Sequence, residues 1–393
     1  MLAGPGFHAP FSEISAPGKA SARGATDGTP VWQLAHDLAA RDHDVALVTL
    51  DRAATRLVRL RAAGVTITVG PYRDTHRMRD LMRAERLAVR DAIRDLAPDL
   101  VHAHWCYEYA LGALASGRPT LVTVRDWIPA ILRHMDLKYW PYWSGRALMY
   151  VATLARARHL TANSPYVADK VKRFTRGALE VVPNGVPDAV FVMTDSSERP
   201  AQRPVRPAFI SVNNGFSPRK NAKALLRAFS LLRSRHPCTE LHLVGDGYGP
   251  TEACQRWAEE KRLAEGVVFL GRVPRPELLS SLPRYLALVH PSREESFGMT
   301  LVEAMARRVP VVGGALSGAV PWVLRGGRAG LLVDVDDPRD IALAMEALLS
   351  DAALREQVAE AGYRHAQRQF TQSRVTAQYL EVYGRVLNEE GRV

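Results

Sequence analysis

Short runs of β-branched and other apolar residues alternate along the chain with longer stretches in which apolar residues recur every three or four positions. Short continuous apolar runs are typical of strands buried on both faces, and the longer repeat is typical of amphipathic helices. Residues 84–96 and 166–174 have the helical repeat. In the first half the predicted strands are VALVTL (45–50), VTITV (65–69), LVHA (100–103), TLVTV (120–124) and EVV (180–182).

The same alternation begins again in the second half of the chain. Its predicted strands are FISV (209–212), LHLV (241–244), VVFL (267–270), LALVH (286–290), VPVV (309–312) and GLLV (330–333). The intervening SSERPAQRPVRP (196–207) has three prolines and no apolar repeat, which indicates a linker. The pattern predicts an α/β fold with two doubly wound parallel-sheet domains, residues 1–195 and 208–372, whose loops face a cleft.

The N-terminus departs from this pattern. A doubly wound domain begins with a strand, yet MLAGPG is short and a loop rich in Gly, Ala, Ser and Pro follows it up to Gly28. We expect either a shortened first strand or a misplaced start codon. The first residues lack the basic stretch and apolar core of a signal peptide, and no apolar run approaches the ~18 residues of a membrane span.

Composition narrows the class of partner. The chain is 47% hydrophobic and 24% charged, as expected of a soluble globular protein. Its three cysteines, Cys106, Cys238 and Cys254, are too scattered for a metal site and fit a reducing cytoplasm. The net charge of +11 favours polyanions, anionic lipid headgroups or phosphorylated small molecules. No helix-turn-helix, zinc-finger or RNA-binding pattern occurs, so we expect no nucleic-acid partner.

The segment PSREESFGMTLVEAMARRVPVV (291–312) surrounds a predicted strand-to-helix turn with acids. Backbone N–H groups at a helix start near Thr300 would favour an anion, and Gly298 would let a ligand approach the backbone. Glu303 has two interpretations, because Thr300-Leu-Val-Glu303 also matches a helix capping box. Spacing alone does not distinguish Glu295 from Glu294.

Two more segments of the second half suit phosphate groups. NNGFSPRKN (213–221) places Arg219 and Lys220 at a predicted helix start, where an arginine fork and a lysine point charge suit a diphosphate. Such a pair can equally be solvated surface. LVGDGYGP (243–250) is a glycine-rich turn with Gly-x-Gly-x-Gly spacing, which disfavours a dehydrogenase, and no P-loop sequence occurs.

The segment PSREESFGMTLVEAMA resembles the donor-site signature of family-4 retaining glycosyltransferases, which have the GT-B fold. The signature is Glu, seven residues, Glu, with Phe-Gly after the first acid, and this count selects Glu295. The resemblance covers nearly the whole chain after about residue 28. Further similar segments, in order, are PDLVHAHW (98–105), TVRDW (123–127), VPNGV (182–186), GDGYGP, FLGRVPRPEL (269–278) and GLLVDVDDPRDIALAM (330–345).

The resemblance implies a nucleoside-diphosphate sugar as the donor. Glu303 would accept hydrogen bonds from the ribose hydroxyls, and Glu295 would hold the sugar ring together with the backbone of Phe297, Gly298 and Met299. The remaining donor-site residues implied are Thr300, Arg219 and Lys220 at the diphosphate, Gly271, Arg272 and Val273 facing the base, and Gly245 in the glycine-rich turn.

The resemblance also implies transfer with retained anomeric configuration. Protein cations would stabilise the leaving diphosphate, so we expect neither a bound metal nor a cofactor. The departing phosphate oxygen would deprotonate the acceptor, so no side-chain nucleophile is expected. The C-terminal segment 373–393, helical over 373–388, would return to the first domain.

Several positions depart from the family pattern. The arginine that usually precedes the donor-site lysine is missing, because this chain has Asn214 and Gly215 there, so Arg219 would substitute. The usual Pro-Glu near residue 321 is Pro321-Trp322.

On the acceptor side, the resemblance implies Gly28, Arg125 and Asp126. The family commonly has a histidine where this chain has Arg125, and an arginine there suits an anionic acceptor. His102 and His104 are expected to pack at a strand end. The aromatic and basic segment 136–158 suits a membrane interface or a helix packed on the sheet.

The sequence therefore predicts a retaining glycosyltransferase that uses a UDP- or GDP-sugar to extend a glycan or glycolipid, in cell-surface polysaccharide or lipopolysaccharide synthesis. It would be cytoplasmic, with peripheral binding to the anionic inner face of the membrane. The alternatives are a nucleotide-sugar epimerase of the same fold and an inactive sugar-nucleotide-binding scaffold at the membrane.

Overall fold

The chain forms two compact units. The computed structural model describes residues 1–4, 30–135, 137–192 and 206–391. The first unit contains Met1–Pro187 and Gln372–Val393, and the second contains Asp188–Thr371. The predicted boundary after residue 195 and most of the predicted linker 196–207 lie outside the described residues, as does Gly28.

An eight-stranded sheet forms the centre of the first unit. Its strands are β1 (Leu2–Ala3), β2 (Ala46–Asp51), β3 (Val58–Ala62), β4 (Val65–Pro71), β5 (Val101–His104), β6 (Thr120–Val124), β7 (His159–Ala162) and β8 (Ala178–Val181). They lie in the order β3-β4-β2-β1-β5-β6-β7-β8. Every neighbouring pair except β3–β4 is parallel, which confirms a doubly wound sheet.

Strand β1 is short but central. Leu2 and Ala3 pair with β2 on one side and with β5 on the other, and both residues are buried. The Met1 amino group donates to the Leu100 carbonyl at 2.8 Å. The strand about which the sequence left doubt is therefore present.

Two strands of this sheet were not predicted. β3 pairs antiparallel with β4 through a two-residue turn in which Ala63 and Gly64 have φ of 49° and 78°. This left-handed pair is the geometry of a tight hairpin, and the expectation of a wholly parallel sheet is wrong at this edge. β7 was missed because its four residues begin with a histidine and contain a threonine.

Among the described residues before Pro187, six helices accompany this sheet. They are α1 (Pro30–Ala39), α2 (Arg83–Leu96), α3 (Glu108–Leu114), α4 (Ile128–Arg133), α5 (Trp140–Arg156) and α6 (Pro165–Val171). α6 shows how the sequence sets a helix start, since the Ser164 hydroxyl accepts a hydrogen bond from the Val167 N–H and Pro165 opens the first turn.

The second unit has a six-stranded parallel sheet. Its strands are β9 (Ala208–Val212), β10 (Glu240–Val244), β11 (Val267–Gly271), β12 (Leu288–His290), β13 (Val311–Gly314) and β14 (Leu331–Val333). The order β11-β10-β9-β12-β13-β14 reverses direction between β9 and β12. This is the strand order of a Rossmann-type sheet, with its topological switch point at that pair.

The helices of the second unit cover both faces of its sheet. They are α7 (Ala222–Arg235), α8 (Ala253–Glu260), α9 (Arg275–Ser281), α10 (Met299–Ala306), α11 (Val320–Val323), α12 (Pro338–Ser350) and α13 (Ala352–Phe370). Asp337 and Asp351 cap α12 and α13 by accepting backbone N–H bonds. The shared core contains Phe209, Phe229 and Met345.

The last helix, α14 (Gln372–Glu389), belongs to the first unit. Val375, Tyr379, Val382 and Val386 recur at three- and four-residue spacing and enter the same core as Trp32 of α1. The periodic apolar face explains why α14 packs in the core of the first unit.

Candidate functional site

Two loops meet at the switch point of the second sheet. One follows β9 and spans residues 213–221, and the other follows β12 and spans 291–298. The Arg293 N–H donates to the Arg219 carbonyl at 2.9 Å, which joins them directly. Because the chain leaves β9 and β12 in opposite directions, their carboxyl ends border the crevice where such sheets bind ligands.

Lys220 and Glu295 form an ion pair across these loops. Lys220 Nζ lies 2.5 Å from Glu295 Oε1, and His290 Nε2 lies 3.0 Å from the same oxygen. Only 12% of each partner of the Lys220–Glu295 pair is exposed. Burial alone would raise the pKa of Glu295, but Lys220 and His290 hold it well below the ordinary value. Glu295 is therefore a fixed negative charge.

Glu294, the acid directly before Glu295, has a different partner. Arg219 lies 3.4 Å from Glu294 Oε2, and burial raises the pKa of Glu294 despite this arginine. Each of the two acids thus holds one of the two cations. The two acids therefore differ in the cation that each one binds, a distinction that residue spacing alone could not make.

Helix α10 begins at Met299, and Gly298 is its N-cap residue. Gly298 has φ of 91°, and a Cβ there would lie 2.7 Å from Leu301 Cδ1, so glycine is required. No side chain caps the helix, and Thr300 is inside its first turn. The capping-box interpretation of Glu303 is therefore wrong. Met299 and Thr300 are half-buried at the open end.

Glu303 lies one turn further along α10 and is buried. Its Oε1 accepts from Arg275 Nε at 2.8 Å, and Arg275 Nη2 is also 2.8 Å away. Both contacts use Oε1, so Oε2 is not committed to this arginine. A carboxylate oxygen can accept more than one hydrogen bond, and Glu303 can bind two adjacent hydroxyls while Arg275 holds it.

The side chain of Phe297 turns into the core. It packs edge-on against Trp322 and Phe370, with ring centroids 6.2 and 5.5 Å away, and is 1% exposed. Only the backbone of Phe297 is available to a ligand. Trp322, which replaces the usual family acid, completes this aromatic cluster.

The carboxyl ends of β10 and β11 lie beside the switch point. Gly245 has φ of 121° and donates to the Gly271 carbonyl at 2.8 Å. The exposed Arg272 side chain binds Asp246, with Nη2 2.7 Å from Oδ2. Val273 follows and is half-buried. The predicted base-facing residues therefore share an edge of the sheet with the loops described above.

In the first unit, Arg125 follows the carboxyl end of β6 and is buried. Its Nη2 lies 2.9 Å from His104 Nδ1, Nη1 bonds Asn184 Oδ1, and the guanidinium lies over the Trp105 ring. Among the described residues no carboxylate forms an ion pair with it. Burial lowers the pKa of Arg125, which remains charged at neutral pH because it starts far above it.

Asp126 lies next to this arginine and is half-buried. Its Oδ2 accepts from the Tyr107 hydroxyl at 2.6 Å, and its carbonyl accepts from the Tyr150 hydroxyl at 2.7 Å. The third predicted acceptor-side residue, Gly28, lies outside the described residues.

The histidines of β5 belong to a buried polar network. His102 is bonded to the Tyr383 hydroxyl at 2.7 Å and to Thr123 Oγ1 at 2.6 Å, which ties β5 to α14. In the described part of the chain, no cluster of three or more His, Cys, Asp or Glu side chains could hold a metal ion. The histidines therefore pack at a strand end, as the sequence predicts.

Two models of known protein families match this chain, one in its first half and one in its second half. The family model described as Glycosyltransferase Family 4 matches residues 28–190, and the model described as Glycosyl transferases group 1 matches residues 194–365. The D-inositol 3-phosphate glycosyltransferase of a Nocardioides species is 30% identical over 314 residues, covering 74% of this chain and 68% of that protein. The chain belongs to the group 1 glycosyltransferases.

Solved structures give the same fold. Sucrose-phosphate synthase from Thermosynechococcus elongatus matches this glycosyltransferase with a TM-score of 0.77 at 18% identity, over 99% of this chain and 98% of that one. HepE from Anabaena, solved with UDP and glucose, has a TM-score of 0.65 at 18% identity, over 89% and 94%. The fold is GT-B.

The chain spans from 48% to 68% of the length of the first curated relatives.

Three residues that hold the candidate functional side chains of the two units were not predicted from the sequence. His290 and Arg275 hold the two acids, and Asn184 holds Arg125. Each lies inside a segment with a sequence signal: His290 ends a predicted strand, Arg275 follows the segment predicted to face the base, and Asn184 is the asparagine of VPNGV. Their roles depend on partners distant in the chain or on strand geometry.

Replacing Gly245 by alanine should destabilise the second unit far more than the same change at Gly215. Both glycines have left-handed φ, which costs a non-glycine residue about 1 kcal/mol. At Gly245 the new Cβ would also overlap the Asn213 carbonyl oxygen, whereas at Gly215 it meets nothing within 4 Å. Thermal unfolding of both variants measures the difference. Equal melting temperatures would show that the turn after β10 tolerates the extra atom.

Proposed function

We propose that this chain is a retaining glycosyltransferase that takes its sugar from a UDP- or GDP-sugar. The observation that supports this proposal most strongly is that Lys220, Glu295 and the uncapped start of α10 lie together at the switch point of the second sheet. A diphosphate there would meet the helix dipole and a lysine ammonium. HepE, a fold neighbour, was solved with UDP, which supports a uridine nucleotide.

The donor would be held along one line of residues. Glu303 accepts from the ribose hydroxyls, and the backbone at residues 271–273 faces the base. Glu295 and the backbone of residues 297–299 hold the sugar. The ammonium of Lys220 has three donors, so its bond to Glu295 leaves two for phosphate oxygens, and Arg219 supplies the second cation.

The reaction we propose breaks the bond between the anomeric carbon and the phosphate oxygen. The acceptor hydroxyl oxygen forms the new bond on the same face of the sugar, so the configuration is retained. Its proton passes to the departing phosphate oxygen. Lys220 and Arg219 stabilise the charge that develops on the diphosphate, and neither a metal nor a cofactor is part of the proposal.

We propose an acceptor that carries a negatively charged group. Arg125 supports this assignment, because a buried guanidinium bound only to neutral groups among the described residues favours an anion nearby. The curated relatives are named for an inositol phosphate, which fits the same chemistry. Within this class we favour a glycan or lipid-linked acceptor of cell-surface polysaccharide or lipopolysaccharide synthesis.

We further propose that the protein works at the cytoplasmic face of an anionic membrane. Trp140, Leu148 and Val151 form an exposed apolar stripe on α5, 44%, 62% and 52% exposed. Lys138 and Arg156 are exposed at its two ends. Among the described helices, none is both long and apolar enough to cross a bilayer. The stripe therefore supports binding to the surface of the membrane.

Leu148→Ser combined with Val151→Ser should weaken binding to phosphatidylglycerol-containing vesicles about tenfold or more, since each buried aliphatic side chain contributes roughly 1.5–3 kcal/mol when fully inserted. The control is Leu231→Ser combined with Leu343→Ser, because both leucines are exposed but belong to the second unit. Co-sedimentation measures both. Equal binding of the two double variants would remove α5 from the membrane contact.

Incubation with labelled UDP- and GDP-sugars tests the proposed activity. Slow hydrolysis of one donor, with retained configuration in the released sugar, is the expected result. Formation of an epimeric donor would instead identify a nucleotide-sugar epimerase. Binding without turnover, in the presence of candidate acceptors, would identify an inactive scaffold.

A further inference from the structure

A basic cavity of about 400 Å³ lies in the second unit, between helix α13 and the turn that follows α11. Its lining includes Arg325 and Arg328 from the turn and Arg364, His365 and Arg368 from α13. A volume of this size accommodates a small-molecule ligand. None of these residues is among those assigned above to the donor or the acceptor.

The backbone brings these arginines together. Arg364 and Arg368 are four residues apart and therefore share one face of α13. On the opposite side, Arg325, Gly326 and Gly327 have φ of 51°, 65° and 90°. Glycine adopts this conformation freely, so the strain lies at Arg325, and a non-glycine residue held in it is often found at a functional site.

The charge of the cavity is poorly compensated. Arg364 Nε binds Glu360 Oε1 at 2.6 Å, but Glu360 also pairs with Arg308. Among the described residues, no acid forms an ion pair with Arg325, Arg328 or Arg368. These arginines are exposed, so solvent screens part of their mutual repulsion, and an anion bound between them would reduce it further.

His365 adds an unused polar atom. Its Nε2 is shielded from solvent and has no hydrogen-bond partner among the described residues. Burial and the charge of Arg325 lower the pKa of His365, so the ring is neutral at pH 7. A buried polar atom without a partner is rare in folded proteins and is a feature that a functional site can explain.

We propose that this cavity is a second anion site, which binds a small ligand bearing two or more phosphate charges. The phosphates can come from a soluble phosphorylated metabolite or from a phosphorylated lipid headgroup, since the arginine forks recognise the same oxygens in both. The proposal does not depend on the transferase activity.

Calorimetric titration of the full chain with inorganic pyrophosphate tests the site. In wild type we expect binding that Arg328→Gln with Arg368→Gln weakens about tenfold or more, because each substitution removes charged hydrogen bonds. Arg262 and Arg284 are exposed on the same unit, and their double glutamine variant should bind as wild type does. Any pyrophosphate bound by the donor residues is common to all three proteins.

The same variants identify the source of the phosphate. Vesicles of phosphatidylcholine with phosphatidic acid are compared with phosphatidylcholine alone. Loss of both pyrophosphate and vesicle binding in Arg328→Gln/Arg368→Gln indicates a lipid headgroup, and loss of pyrophosphate binding alone indicates a soluble ligand. If this variant, with an unchanged or raised melting temperature, binds both probes as wild type does, the proposal is overturned. The single variants Arg328→Gln and Arg368→Gln repeat the test should the double variant be unstable.

Discussion

Replacing Lys220 by methionine should lower kcat about 10²–10³-fold, the usual effect of removing one donor from a developing oxyanion. The departing diphosphate gains charge as the sugar leaves, and Lys220 is the cation fixed closest to Glu295. Turnover of the labelled donor measures the effect. Lys223→Met is the matched control, because Lys223 is exposed on the adjoining helix α7 and should leave kcat unchanged.

The same substitution should also destabilise the fold. Among the described residues it leaves the largely buried Glu295 carboxylate with His290 as its remaining side-chain partner, and breaking such a buried pair typically costs about 3–5 kcal/mol. Adding Glu295→Gln removes the stranded charge, so the double variant should recover most of the melting temperature while kcat stays low. If Lys220→Met loses stability but turns over at the wild-type rate, Lys220 has a structural role only.

Replacing Glu303 by alanine should raise the donor KM about 10- to 100-fold. The ribose loses a charged acceptor, and hydrogen bonds to charged groups contribute about 1.5–3 kcal/mol. Arg275 also loses the carboxylate that binds it at 2.8 Å, so a lower melting temperature should accompany the kinetic change. Initial rates over a range of donor concentrations give KM and kcat separately.

Glu303→Gln separates these two effects. Its amide oxygen still accepts a hydrogen bond from Arg275 but carries no charge, so KM should rise less than in Glu303→Ala and stability should be closer to wild type. A wild-type donor KM in Glu303→Ala would refute the ribose assignment.

The sequence was sufficient for most strands because buried parallel strands have a strong local pattern. All eleven predicted strands begin within two residues of an observed strand, and the prediction VVFL (267–270) begins at the same residue as Val267–Gly271. The hairpin at Ala63-Gly64 was not predictable in this way, because alanine rarely takes a left-handed conformation.

The site was predictable in its residue types but not in its pairings. The segment 291–312 identifies a strand-to-helix turn, yet the start of α10 at Met299 depends on Gly298 adopting φ of 91°. Lys220 and Glu295 are 75 residues apart, and Arg275 lies 28 residues before Glu303. Such partners follow from the strand order of the folded sheet, which no local pattern encodes.

The proposed function requires that the start of α10, with Lys220 beside it and Glu303 in the helix, binds a nucleoside diphosphate. A crystal structure of the full chain with UDP tests it most directly. We expect phosphate oxygens within hydrogen-bonding distance of the Met299 and Thr300 N–H groups and the ribose hydroxyls bound to Glu303. UDP bound elsewhere, with this end of α10 making no contact to phosphate, would contradict it.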